Sequence, residues 1–149
     1  MDVTRNKFWT VTMLDELRER MTAYLAQHRV CVLSTAGAED AWATPVRYRN
    51  HGLEVDCLLP RWADVAYHLE QDPRVMLVIP APTSSLRWLQ VLGTARPVEN
   101  PNWMGLLPAE TPTTIPPDDL YLVIRVTPER IDLLDESRGW GARETLELG

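Results

Sequence analysis

The chemistry-bearing residues of this chain are mostly cations near turns. In "TPVRYR", Arg47 and Arg49 alternate with Val46 and Tyr48, so both point to one face of a strand. Two guanidinium groups on one face are usually solvated, but on a strand that faces a cleft they suit an anion. The stretch "LPRWADVAYHLEQDPRV" reads as a strand end, a sharp turn and a short helix over Trp62 to Gln71, stopped by Asp72-Pro73. Such a corner exposes free backbone N–H groups at the helix start, which suits a phosphate. Its side chains suit one less. Trp62, Ala63, Asp64 and Val65 include no Lys, Ser or Thr, and Asp64 would repel a phosphate dianion unless it points away. Arg61 is the nearby cation, with a fork of donors.

Other chemistry is thinly represented. No G-x-S-x-G or H-E-x-x-H is present, and His28, His51 and His68 are scattered, so no metal site is expected and no catalytic group is assigned. "GWG" at 139–141 has no strand-loop-helix frame and reads as a tail turn with Trp140 packed on a neighbour. Six Trp stand against a single Phe, with Trp42 at a strand start, Trp62 at the helix corner and Trp88 in mid-strand. Such rings serve cores, interfaces or stacking walls for planar cofactors, the first two being the default. Cys31 and Cys57 each sit in an apolar run and read as buried thiols rather than a disulfide framework.

The elements that must position these residues follow from periodicity. Leu14, Leu17, Met21, Tyr24 and Leu25 recur at helical spacing, predicting an amphipathic helix over Thr12 to Gln27 capped by Thr12. "RVCVLST", "AWATPVRYR" and "LEVDCLL" alternate as strands and are joined by loops too short for parallel crossovers, so they predict an antiparallel meander. "RVMLVIP" and "LRWLQVLGTARPVE" give two more strands, the second interrupted by Gly93 where a bulge or barrel corner is expected. The proline-rich segment 100–119 reads as a long irregular connection with one turn around Trp103 to Leu107. "LYLVIRVTPERIDLLD" supplies one or two final strands. The expected fold is mainly β, a six-stranded antiparallel barrel with small helices.

The whole-chain quantities bound the function. One core and one domain, 1–149, are expected, with 1–11 as an N-terminal arm and 136–149 as a polar tail. A formal charge of -6 with Lys7 as the only lysine argues against nucleic acid. Neither a signal peptide nor an apolar run long enough for a membrane span is visible, so a cytoplasmic protein is expected.

The order of these elements resembles the pyridoxamine 5'-phosphate oxidase-like family of FMN-binding split barrels, from about Leu14 to Leu134. The resemblance rests on "LST" followed by "ATPV", on the helix exit "LEQDPRV", and on the strand ending "GTA". It implies a split barrel and a homodimer with two FMN sites between the subunits. By position it implies that Thr44, Pro45, Val46 and Arg47 lie along the flavin ring and that Cys57, Leu58 and Leu59 line the same groove. Trp88, flanked by Arg87 and followed on its face by Gln90, would stand against the ring, with Trp62 as a second wall and Arg61 on the phosphate.

The departures from the family are equally specific. Members typically place a Ser and basic residues on the phosphate where this chain has Ala63, Asp64 and Val65. "PERIDLLD" keeps Pro128 and Arg130 of the oxidase's P-x-R-x-E strand, but Asp132 and Leu134 stand at the next two places, which disfavours vitamin B6 phosphate oxidation. Trp140 and Arg143 remain as late contributors from the tail. The expected function is therefore an FMN-binding protein, a flavin-dependent oxidoreductase acting on an unidentified small molecule. The alternative is a non-catalytic barrel that has lost FMN and takes haem, a deazaflavin or a metabolite, or serves only as a dimerisation module.

Overall fold

A computed structural model describes residues 3–35, 42–82 and 86–148, and side chains from Met13 onward within these spans. The loop "AGAEDA" and "TSS" lie outside the described residues. The element order is α1 (Val3–Ala26), β1 (Val30–Thr35), β2 (Ala43–His51), β3 (Glu54–Pro60), α2 (Asp64–Gln71), β4 (Arg74–Pro80), β5 (Arg87–Pro97), α3 (Pro117–Leu120), β6 (Tyr121–Asp135), a 3-10 turn (Glu136–Arg138) and β7 (Arg143–Glu147).

The sheet runs β3-β2-β1-β4-β5-β6-β7, and β3 also pairs with β6, so six antiparallel strands close into a barrel with β7 appended to β6. Alternation decides which residues fill it. Cys31, Leu33, Val46, Tyr48, Val55, Cys57, Leu59, Val75, Leu77, Ile79, Leu89, Val91, Ile124, Val126 and Ile131 all belong to one buried cluster. One face of α1 joins it through Leu17, Met21, Tyr24 and Leu25, while Leu14, read as part of that face, is exposed. Two tyrosine hydroxyls tie helix to barrel: Tyr24 donates to the Ile79 carbonyl and Tyr48 to the Leu25 carbonyl, each at 2.7 Å. Burial raises the Tyr48 phenol well above its ordinary value.

Several expectations need correction. Helix α1 starts at Val3, so Thr12 lies inside it rather than capping it, and residues 3–11 are helical rather than an arm. Helix α2 begins at Asp64 and not at Trp62. The last apolar run is one strand of 15 residues, within the one or two expected. The polar tail carries a further strand: Arg143–Glu147 pairs with Arg130–Leu134, and Leu146 enters the core. Trp140 is not packed on a neighbour among the described residues: it is 93% exposed, in a turn where Gly139 and Gly141 have positive φ.

Gly93 does sit at an irregularity. Opposite it the register steps from Leu92–Arg130 to Gly93–Pro128, leaving Glu129 of β6 as the extra residue. A Cβ on Gly93 would lie 2.3 Å from the Thr127 carbonyl oxygen, so the strands approach too closely for any side chain. Gly93→Ala is expected to destabilise the fold by about 3 kcal/mol through this clash. A lower urea midpoint at unchanged slope would show it, and an unchanged midpoint would contradict the close approach.

Candidate functional site

Closure of the barrel fixes which candidate residues face outward. Val46, Cys57 and Leu59 belong to the barrel core, so their side chains are not on the outer surface. Both cysteines are free and buried, and the Cys57 thiol is raised well above its ordinary value by a hydrogen bond to Cys31, by burial and by nearby negative charge. Thr44 is half-buried and Pro45 exposed at the start of β2. On the outer face Arg47 stands opposite Leu58, and Leu58 opposite Val123.

That outer face is covered by the chain itself. Leu106, with 0% exposure, seats on Leu58 and Val123, and Val98, Trp103, Leu107 and Tyr121 surround them. Arg47 Nε donates to the Leu106 carbonyl at 2.9 Å, and an Arg49 terminal nitrogen donates to the Met104 carbonyl at 2.6 Å. The sequence places these arginines on one face as expected but carries no local signal that the proline-rich connection comes back over them.

One row along the same face lies a buried carboxylate. Asp56, 1% exposed, accepts from Arg125 Nε and a terminal nitrogen at 2.8 and 3.1 Å and meets His51 Nε2 at 3.1 Å, with Arg49 at 3.6 Å. Burial works to raise its pKa, but the hydrogen bonds and charge of Arg125, with His51 beside them, outweigh burial and hold it below the usual carboxylate range. The sequence reading did not single out Asp56 or Arg125. The signal available was an acidic residue inside the apolar run "LEVDCLL".

The corner after β3 keeps part of an anion cradle. Ala63 is the N-cap of α2, with no side-chain cap, so nothing from a side chain occupies the first-turn N–H groups. Arg61 is exposed there. Its backbone N–H donates to the Leu120 carbonyl at 3.0 Å and its Nε to the Asp118 carbonyl. Among the described residues its terminal nitrogens have no partner. Trp62, at 73% exposure, stands beside it as an uncovered ring. Between Arg61, Trp103, Tyr121 and Val123 runs a cleft of about 380 Å³.

The remaining candidates lie elsewhere. Trp88 and Gln90 are half-buried on the outside of β5, opposite Leu134 and Asp132, while Arg87 lies 5.6 Å over the Tyr24 ring. Only β6 stands between β3 and β5, but Pro60 pairs with Tyr121 at the start of β6 and Trp88 with Leu134 near its end, 13 residues farther along the strand. A single chain therefore does not bring Arg87, Trp88 and Gln90 to the Arg61 corner. Trp42 packs against His68 with ring centroids 5.6 Å apart, and His28 stacks on Tyr24 at 4.5 Å. Among the described residues, no three His, Cys, Asp or Glu side chains are grouped to hold a metal ion, and no helix is long and apolar enough to cross a membrane.

The family model described as "Pyridoxamine 5'-phosphate oxidase" matches residues 17–135, spanning the whole barrel from α1 to the end of β6. The chain belongs to this family. General Stress Protein 26 from Bacillus anthracis is 20% identical, with 89% of this chain and 98% of that one covered at a TM-score of 0.67. A pyridoxamine 5'-phosphate oxidase-related, FMN binding protein from Nostoc punctiforme is 9% identical over 90% and 94% of the two chains, with a TM-score of 0.57. A heme binding protein from Mycobacterium smegmatis is 18% identical over 87% and 56%, with a TM-score of 0.59. No curated protein matches the chain significantly. At these identities the chain is a divergent member, and the structural likeness establishes the fold.

The groups that would meet an FMN phosphate are the uncapped start of α2 and the terminal nitrogens of Arg61, which have no partner among the described residues. A ring laid over Leu58 does not fit beside Leu106 as it is seated.

The Asp56 cluster gives a pH prediction. A carboxyl whose folded value is depressed contributes stability above its unfolded value, here 3.8, and loses it as pH falls through the lower folded value. Asp56→Asn should cost about 1.5–3 kcal/mol at neutral pH and flatten the acid limb of stability. Urea midpoints between about pH 3 and 7 check both effects, and parallel acid limbs would show that Asp56 is not the group that titrates.

Proposed function

We propose that this protein binds FMN at the corner after β3, in sites completed between two copies of the chain, and works as a flavin-dependent oxidoreductase on a small molecule. The observation that carries the reading is the α2 start: it has no side-chain cap, and Arg61 beside it holds its own chain through Nε while its terminal nitrogens have no partner among the described residues. Backbone N–H groups and one oriented guanidinium supply to a phosphate what the family's Ser and basic residues would otherwise supply. Trp62, uncovered in the single chain, becomes a wall for the ligand or for the second copy.

The separation along β6 supports a site shared between two copies. Trp88 and Gln90 reach the corner only from a second chain, and the outer faces of β1 and β4 offer Val30, Val32, Met76 and Val78 as an apolar strip to receive it. The flavin, when bound, supplies the hydride or electron transfer. The chain's own part is to hold the phosphate and to wall off the ring. Asp132 and Leu134, which depart from the oxidase's P-x-R-x-E strand, disfavour a vitamin B6 phosphate as its substrate. The second reading, a barrel that takes haem, a deazaflavin or a metabolite without catalysis, is favoured by the absence of a Ser or basic side chain at Ala63, Asp64 and Val65.

Arg61→Ala tests the phosphate assignment. In flavin-fluorescence titrations it should weaken FMN binding about tenfold or more, the worth of a charge-assisted hydrogen-bonded pair. Its affinity for riboflavin, which lacks the phosphate, should stay unchanged. Equal FMN affinity in the variant removes Arg61 from the site, and no FMN binding by the natural chain leaves the second reading.

A further inference from the structure

Arg47, Arg49 and Arg61, the cations that the sequence marks for an anion, all hold a single segment of their own chain. Residues 98–120 join β5 to β6, antiparallel neighbours that a short turn would connect. The segment instead crosses the outside of β3 and β2. It presents the Leu106, Met104 and Asp118 carbonyls to the three arginines and drops Leu106 onto Leu58.

We propose that residues 98–120 are a displaceable strap: the seating of Leu106 on Leu58 and the binding of the flavin ring exclude each other, and flavin affinity is set by how readily the strap lifts. This rests on the flavin reading above.

Three features make the strap separable from the barrel. Its apolar anchor is a small cluster of its own, apart from the continuous core. Its backbone bond to the sheet next to β5 is that of Val98 to the Val123 carbonyl, at 2.9 Å, and the next main-chain tie is at Leu120 to Arg61. Five prolines, at 101, 108, 112, 116 and 117, remove donors along the way, so lifting it breaks few backbone bonds. The Met104 side chain, at 81% exposure, adds no apolar anchorage at the crest. Such segments sit at the low-stability end of a fold.

The exchange is also chemically compensated. The Arg47 and Arg61 guanidinium groups, released from the neutral Leu106 and Asp118 carbonyls, would be free for phosphate oxygens, which are stronger acceptors for them. A ring over Leu58 would bury the apolar surface that Leu106 leaves.

The test is hydrogen exchange on the full chain, with and without saturating FMN, together with FMN affinity of Leu106→Ala. The proposal expects faster exchange of amides in 98–107 when FMN is bound, and at least tenfold tighter FMN binding by the variant. Unchanged or slower exchange in that segment overturns the strap while leaving flavin binding intact, as does equal affinity in a folded Leu106→Ala. If the natural chain and the variant both fail to bind FMN, the flavin reading falls and the strap with it. Should Leu106→Ala not fold, the exchange measurement on the natural chain decides alone.

Discussion

The pairing of β3 with β6 is the constraint on which the rest of the structure depends. Six residue pairs, from Val55–Val126 to Pro60–Tyr121, turn an open sheet into a barrel and leave neither strand as a free edge along that stretch. Closure gives the alternating side chains two fates. Cys57 and Ile124 meet inside, while Leu58 and Val123, and Asp56 and Arg125, meet outside. Asp56 can remain a buried carboxylate on that outer face because its neighbour on β6 is an arginine that satisfies both oxygens.

Closure also explains the long connection. Over Tyr121 to Val126, β6 serves β3 on one side, and from Ile124 onward it serves β5 on the other. The outer face of this three-strand seam carries a pair of apolar residues, Leu58 and Val123, and segment 98–120 covers them. The arginines around the seam then have two possible acceptors, the carbonyls of their own chain and a ligand's anionic oxygens. In the proposed strap this competition would link the fold's energetics to cofactor binding: the same side chains that seat the cover would hold the cofactor.

The barrel itself was readable because alternation and short turns are local. "RVCVLST", "LEVDCLL" and "RVMLVIP" announce their inward residues directly, and the order of elements carried the family. The corner at Arg61 was readable for the same reason. What escaped were matters of long range or weak signal. The return of Leu106 onto Leu58 joins residues 48 positions apart with no periodicity between them. Strand β7 has only Leu146 and Leu148 to mark its inner face, so "ARETLELG" looked polar. The early start of α1 was hidden because "VTRNKFWTVT" is neither apolar on one face nor broken by Gly or Pro. Trp140 was expected to pack because exposed tryptophan is uncommon, yet the two glycines flanking it hold a turn that points it outward.

The central claim is that the Arg61 corner and the outside of β5, separated on one chain, form a flavin site between two chains. The most direct measurement is the visible absorption spectrum, with the chain concentration, of protein incubated with FMN and passed through gel filtration. The account predicts a dimer that elutes yellow with one flavin per chain. A colourless protein, or flavin bound stoichiometrically by a monomer, would contradict it.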